Sequence, residues 1–158
     1  MKDKEAILDE LDEKFVNAKK ELKFNSSFDE LESVFFIKDA VLSAGFVSDG
    51  FSRQLRARIT DIYKSWMSFL HGLIMPNPQN IVNLNESKLF SSEEKKDIGN
   101  LIGLMMSVIS RSDLVNLTND KTEEAKMIDD SFIVWKETVS PFLIKVMSKI
   151  DRSWVVES

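Results

Sequence analysis

At 158 residues the chain has the length of one ordinary domain, and 43% hydrophobic against 30% charged residues describe a folded protein rather than a disordered one. The net charge of −5 argues against nonspecific binding to nucleic acid or anionic lipid, and the absence of cysteine removes disulfides, thiolate nucleophiles and thiolate metal sites. Only five glycines and three prolines predict long helices with few turns, and the opening Met1-Lys2-Asp3-Lys4-Glu5 lacks the apolar run of a signal peptide, so a cytoplasmic single domain over 1–158 is expected.

In chain order, Ile7, Leu8, Leu11, Phe15, Ala18 and Leu22 recur at helical steps and predict an amphipathic helix over 4–23. Its acidic run Asp9-Glu10-Leu11-Asp12-Glu13 reads as a solvated face, not a metal site. Ser27 and Glu30 form a capping box for a second helix over 28–44, with Gly45 as its left-handed stop. A short turn, Phe46 to Gly50, sends a third helix back over 51–75, its core stripe running from Leu55 through Ile59, Ile62, Trp66 and Leu70 to Leu73.

The other side of that third helix carries Arg53, Arg56, Thr60 and Lys64 about one turn apart, with Arg58 flanking. Arginine grips phosphate or carboxylate with a planar fork, so this stripe is a candidate anion site; the bland reading is an exposed face paired with acidic neighbours. His71 is the sole histidine and the best single candidate for acid–base work, although its place near a helix end suits a packing or capping role. No Glu stands three residues before it, so a carboxylate-bridged di-iron site has no support.

Pro76-Asn77-Pro78 opens a non-helical segment over 76–90, read as a crossover between bundle ends or, alternatively, a lid; Ile81 to Leu84 within it is an extended piece or a short helical turn. A second capping box, Ser91 with Glu94, starts a central helix of about 20 residues. Its run from Ile98 to Ile109 is apolar on nearly every side and is expected to be enclosed by other helices. Gly99, Gly103 and Ser107 form a small-residue stripe expected to mark the closest helix contact of the core, where Gly103→Leu would cost about 1–3 kcal/mol by overpacking. Met105 and Met106 read as gap fillers.

Residues 112–119 are expected to link this helix to a fifth, which starts at Asp120 with Glu123 and carries Ile128, Phe132, Trp135 and Val139. Pro141 either kinks that helix or begins a new one. Phe142, Ile144, Val146, Met147, Ile150 and Trp154 continue the apolar pattern, and the tail 155–158 is apolar enough to dock. Glycine-rich phosphate loops, a Ser-His-Asp order, Cys/His metal spacing and a dinucleotide fingerprint are all absent, so no metal and no particular cofactor is specified.

Asp29-Glu30-Leu31-Glu32 resembles the DELN stretch of the cobalamin adenosyltransferases, and Leu55-Arg56-Ala57-Arg58 sits where that family has its LHxAR segment. The plan of about five long helices around a central one is also similar. The chain thus resembles an uncharacterised archaeal all-helical family whose bundle is grouped with those enzymes. Ile59-Thr60-Asp61-Ile62-Tyr63-Lys64 stands where the family has paired arginines and a glutamate, and residues 1–27 hold no glycine for its triphosphate-binding segment. The resemblance implies the fold and does not carry adenosyl transfer with it.

The expected fold is all-α: an up-and-down four-helix core with one or two additional helices, similar to the cobalamin adenosyltransferases. The expected function is association, as a homo-oligomer or with a partner, without nucleic acid and without a membrane. The alternative is a phosphate-bearing ligand such as ATP, held by Arg53, Arg56, Arg58, Lys64 and His71.

Overall fold

A computed structural model describes residues 3–155, and among them every regular element is helical. In order they are α1 (Lys4–Leu22), α2 (Phe28–Phe35), α3 (Ile37–Ala44), α4 (Phe51–Ile74), α5 (Ile81–Ser87), α6 (Ser92–Thr118), α7 (Lys121–Val134), a π-helical turn (Trp135–Val139) and α8 (Ser140–Trp154). The all-α class expected from the sequence is what is found.

Local chemistry explains the starts. The Asp3 side chain accepts from the Ala6 amide at 2.8 Å and opens α1. Reciprocal boxes join Ser27 to Glu30 and Ser91 to Glu94, each with bonds of 3.0 and 3.1 Å. Asp120 accepts from the Glu123 amide at 3.1 Å and starts α7.

The second helix is not continuous. Phe36 takes a left-handed conformation (φ 51°, ψ 56°) and divides it into α2 and α3. The groups freed at this break find side-chain partners: Arg58 Nε donates to the Phe35 carbonyl at 2.7 Å, and the Lys38 amide donates to Glu32 Oε2 at 3.0 Å.

Residues 112–118, expected as a link, instead extend α6 to Thr118; Asn119 in the left-handed region (φ 55°) then ends it and lets α7 follow at once. Within 76–90, the segment 81–87 is helical, and the Asn83 side chain ties it back to the Gly72 carbonyl at 2.9 Å. Pro141 lies in the first turn of α8, immediately after the π turn, where the Ser140 amide reaches back to the Trp135 carbonyl. A proline without an amide and the widened turn before it fit together, since the ladder is already rearranged there.

The described residues group into two compact units. The first takes residues up to 62 together with 108–133. Its core holds Leu11, Phe15, Leu31, Phe35, Val41, Leu55, Ile59 and Ile128, and the Phe15 ring meets Phe24, Phe28 and Phe51 edge-on. The second takes 63–107 with residues from 134 on. There Tyr63, Leu70, Leu73, Ile98, Met105, Leu143 and Ile150 are buried, and Trp135 stands edge-on to Tyr63 at 5.4 Å. Burial raises the Tyr63 phenol far above its ordinary pKa.

Two expectations about the central helix are corrected. The run from Ile98 to Ile109 is not enclosed on all sides: Ile98, Leu101, Met105, Val108 and Ile109 are buried, whereas Met106 is 42% exposed, and the same face continues beyond the run with Leu114 57% and Leu117 82% exposed. The small-residue stripe is not a core contact either. Gly99, Gly103 and Ser107 are exposed, and a Cβ built on Gly103 would meet no heavy atom within 4 Å. The run was apolar enough to bury any face, and the larger side chains at Ile98, Leu101 and Met105 gain more by burial than glycine does. Of the tail expected to dock, Val155 is 62% exposed, and 156–158 lie outside the described residues.

Candidate functional site

The first unit contains a cleft of about 510 Å³ walled by α1, the start of α4, the end of α6 and the start of α7. Helical steps of three and four put Lys14, Asn17, Ala18 and Glu21 of α1 on its side, while Phe51, Ser52 and Arg53 enter from the first turn of α4 and Gly50 from just before it. Asn116 comes from the end of α6, Asn119 is the left-handed residue just after it, and Lys121 and Glu124 come from α7.

Its floor is a buried ion pair. Arg56 Nε donates to Glu124 Oε2 at 2.5 Å, and these residues are only 4% and 8% exposed. Arg56 Nη1 donates to the Ser112 carbonyl at 3.2 Å, to Ser112 Oγ at 3.1 Å and to Asn116 Oδ1 at 2.8 Å. Burying two charges is costly unless they are paired and their remaining hydrogen-bonding groups are met, and this network meets most of them.

The rim carries two exposed pairs, Lys14 with Asp49 at 3.1 Å and Lys121 with Glu21 at 2.6 Å. The hydrogen bond and charge of Glu21 raise the pKa of Lys121, which holds it more firmly as a cation. Arg53 is exposed, and its guanidinium has no ion-pair partner among the described residues.

Of the five residues proposed from the sequence, Arg53 and Arg56 share this cleft. Arg58 does not line it; its Nε serves the Phe35 carbonyl at the α2–α3 break. Lys64 and His71 belong to the second unit and are exposed, with His71 in the last turn of α4. The stripe is therefore not one surface, since Arg56 and Thr60 are buried where an exposed face was the bland expectation.

Glu124 was missed, although a signal for it existed. It stands four residues before Ile128 and eight before Phe132, so a carboxylate occupies the core stripe of α7 and calls for a cation. Lys14 and Lys121 carry no comparable signal.

The second unit has a smaller groove of about 230 Å³, lined by Phe90, Glu94, Ile98, Phe142, Val146 and Lys149 among others. Lys149 Nζ donates to both Glu94 oxygens at 3.0 and 2.9 Å and lies 5.1 Å from the Phe90 ring centre. The Ser91 amide, then Lys149, hold the Glu94 carboxyl below its ordinary pKa. Among the described residues, no group of three or more His, Asp or Glu is placed to hold a metal ion.

α6 presents a different kind of surface. By length and composition its most apolar stretch is long and apolar enough to cross a membrane, and 39% of that stretch is buried. Comparison with known protein families, with curated proteins and with solved structures finds no match for the chain.

Proposed function

We propose that this protein works by association, with a second copy of the same chain as its partner and α6 as the contact. The observation that carries the proposal is the mismatch between the composition of α6 and its burial: the most apolar long helix has 39% of its apolar stretch buried. Large exposed apolar patches on folded chains mark places where another surface docks. Met106, Leu114 and Leu117 supply apolar area, and Gly99, Gly103 and Ser107 would let a second helix approach closely. We further propose the finer architecture, an up-and-down four-helix core similar to the cobalamin adenosyltransferases; the lengths of α4 (24 residues) and α6 (27 residues) support it.

Light scattering on a sizing column, over a range of concentrations, tests the association. The wild type should run as a dimer or larger, and Met106→Glu or Leu117→Glu should shift it to monomer without loss of helical circular dichroism. A wild-type monomer at the highest soluble concentration removes the proposal. So does sedimentation of the wild type, but not of Met106→Glu, with neutral phospholipid vesicles, because α6 would then be meeting lipid.

A further inference from the structure

We propose that the cleft of the first unit binds a small phosphate monoester of a hydroxylated compound, with Arg56, Arg53 and the first turn of α4 on the phosphate and Glu124 on a hydroxyl.

The first reason is the unused part of Arg56. Its Nε and Nη1 are engaged by Glu124, Ser112 and Asn116, whereas Nη2 makes no hydrogen bond among the described residues. Among the described residues no fully buried side-chain nitrogen or oxygen lacks a partner, so Nη2 is not sealed off, and the cavity this residue lines is the cleft. An arginine that is 4% exposed, lines a cavity and keeps one guanidinium nitrogen unbonded is held in place as a donor for something outside the chain.

The second reason lies on the same wall. Phe51 and Ser52 begin a 24-residue helix, and their amides have no carbonyl four residues back within it. They form the positive end of the helix dipole, and Arg53 follows directly. Nη2, two amides and the Arg53 fork match the three terminal oxygens of a phosphate better than the two of a carboxylate.

Charge agrees. The lining holds four cations (Lys14, Arg53, Arg56, Lys121) and three carboxylates (Glu21, Asp49, Glu124), which leaves one positive charge, and Arg53 is the cation without a partner. Glu124 contributes in the opposite sense. Its Oε2 takes Arg56 Nε while Oε1 has no donor, and by the same accounting Oε1 is open to the cleft. An acceptor beside an anion site asks for a hydroxyl on the ligand. A volume of 510 Å³ falls within the range of small-molecule sites, about 300–1,000 Å³.

Calorimetric titration at constant ionic strength tests the proposal with inorganic phosphate, glucose 6-phosphate, glucose and acetate. Glucose 6-phosphate should bind most tightly, inorganic phosphate more weakly, and glucose and acetate not at all. Arg53→Ala, an exposed change that leaves the buried pair intact, should weaken glucose 6-phosphate by about tenfold, the loss of one charge-assisted contact. Lys64→Ala removes the same charge outside the cleft and should change nothing. No heat from any phosphate, equal losses in the two variants, or acetate binding as well as phosphate would each overturn the site. Inorganic phosphate binding as tightly as the ester would overturn the role given to Glu124. Oligomeric state does not enter the readout, so this result stands apart from the association through α6.

Discussion

Arg56 and Glu124, 68 residues apart in the chain, meet through a 2.5 Å hydrogen bond with side chains only 5% and 11% exposed. Each charge is tolerable because the other is present. Arg56→Leu or Glu124→Leu should therefore each cost about 3–5 kcal/mol, since either leaves an uncompensated buried charge. The double replacement should cost less than the sum of the two and can cost less than either. Urea denaturation of the four proteins supplies the cycle. Additive losses would mean that the pair is not coupled.

Asp129 holds the bend between α1 and α2 from the outside. Its carboxylate accepts the Asn25 amide at 2.9 Å, the Ser26 amide at 2.9 Å and the Ser26 hydroxyl at 2.7 Å. Lys19 holds the Asn25 and Ser26 carbonyls at 3.3 and 3.1 Å. Asp129→Ala should cost about 1–3 kcal/mol, as donors around the buried Ser26 lose their acceptor. Hydrogen exchange at the Asn25 and Ser26 amides should quicken in that variant before exchange elsewhere does. Unchanged protection there would show that the bend is held by other means.

Phe36 is a bulky residue in a left-handed conformation, which costs roughly 1–2 kcal/mol, and it is 50% exposed, so its ring recovers little by burial. Phe36→Gly should raise stability by about 1 kcal/mol, read as a higher urea midpoint. A lower midpoint would show that the half-covered ring contributes more than the backbone loses.

Glu94 predicts a pH dependence. The Ser91 amide and Lys149 favour its ionised form, so its folded pKa lies below its unfolded one. The stabilisation is thus present above the ordinary carboxylate pKa and is lost as pH falls through the lowered folded value. Glu94→Gln should leave the melting temperature flatter on the acid side of neutral than in the wild type. Parallel curves for the two proteins would remove Glu94 as a source of acid sensitivity.

What was legible from the sequence was local. Ser27 with Glu30, Ser91 with Glu94 and Asp120 with Glu123 act over three residues, so helix starts could be placed without knowing the fold. The break at Phe36 could not, because Val34 to Ile37 is as apolar as a helix interior, and one of the groups that satisfy the break, Arg58, arrives from α4. The site divided the same way. Arg53 and Arg56 were found from spacing, whereas Lys14 and Lys121 join them only through tertiary packing that no local pattern encodes.

Gly103 is where a core contact and an association surface predict opposite outcomes. In a core stripe, Gly103→Leu would cost about 1–3 kcal/mol by overpacking. The glycine is exposed, and a Cβ placed on it meets no heavy atom within 4 Å beyond its own helix backbone, so within one chain a leucine there starts into open space and removes the helix penalty of glycine. The separated chain should gain about 0.5–1 kcal/mol. The same substitution puts bulk where a second α6 would approach, so self-association should weaken. Urea titration at low concentration measures the first effect, and sedimentation velocity at high concentration the second. A stable variant that associates as well as wild type would place the contact on another surface; a destabilised variant would mean that this face of α6 is covered within the chain.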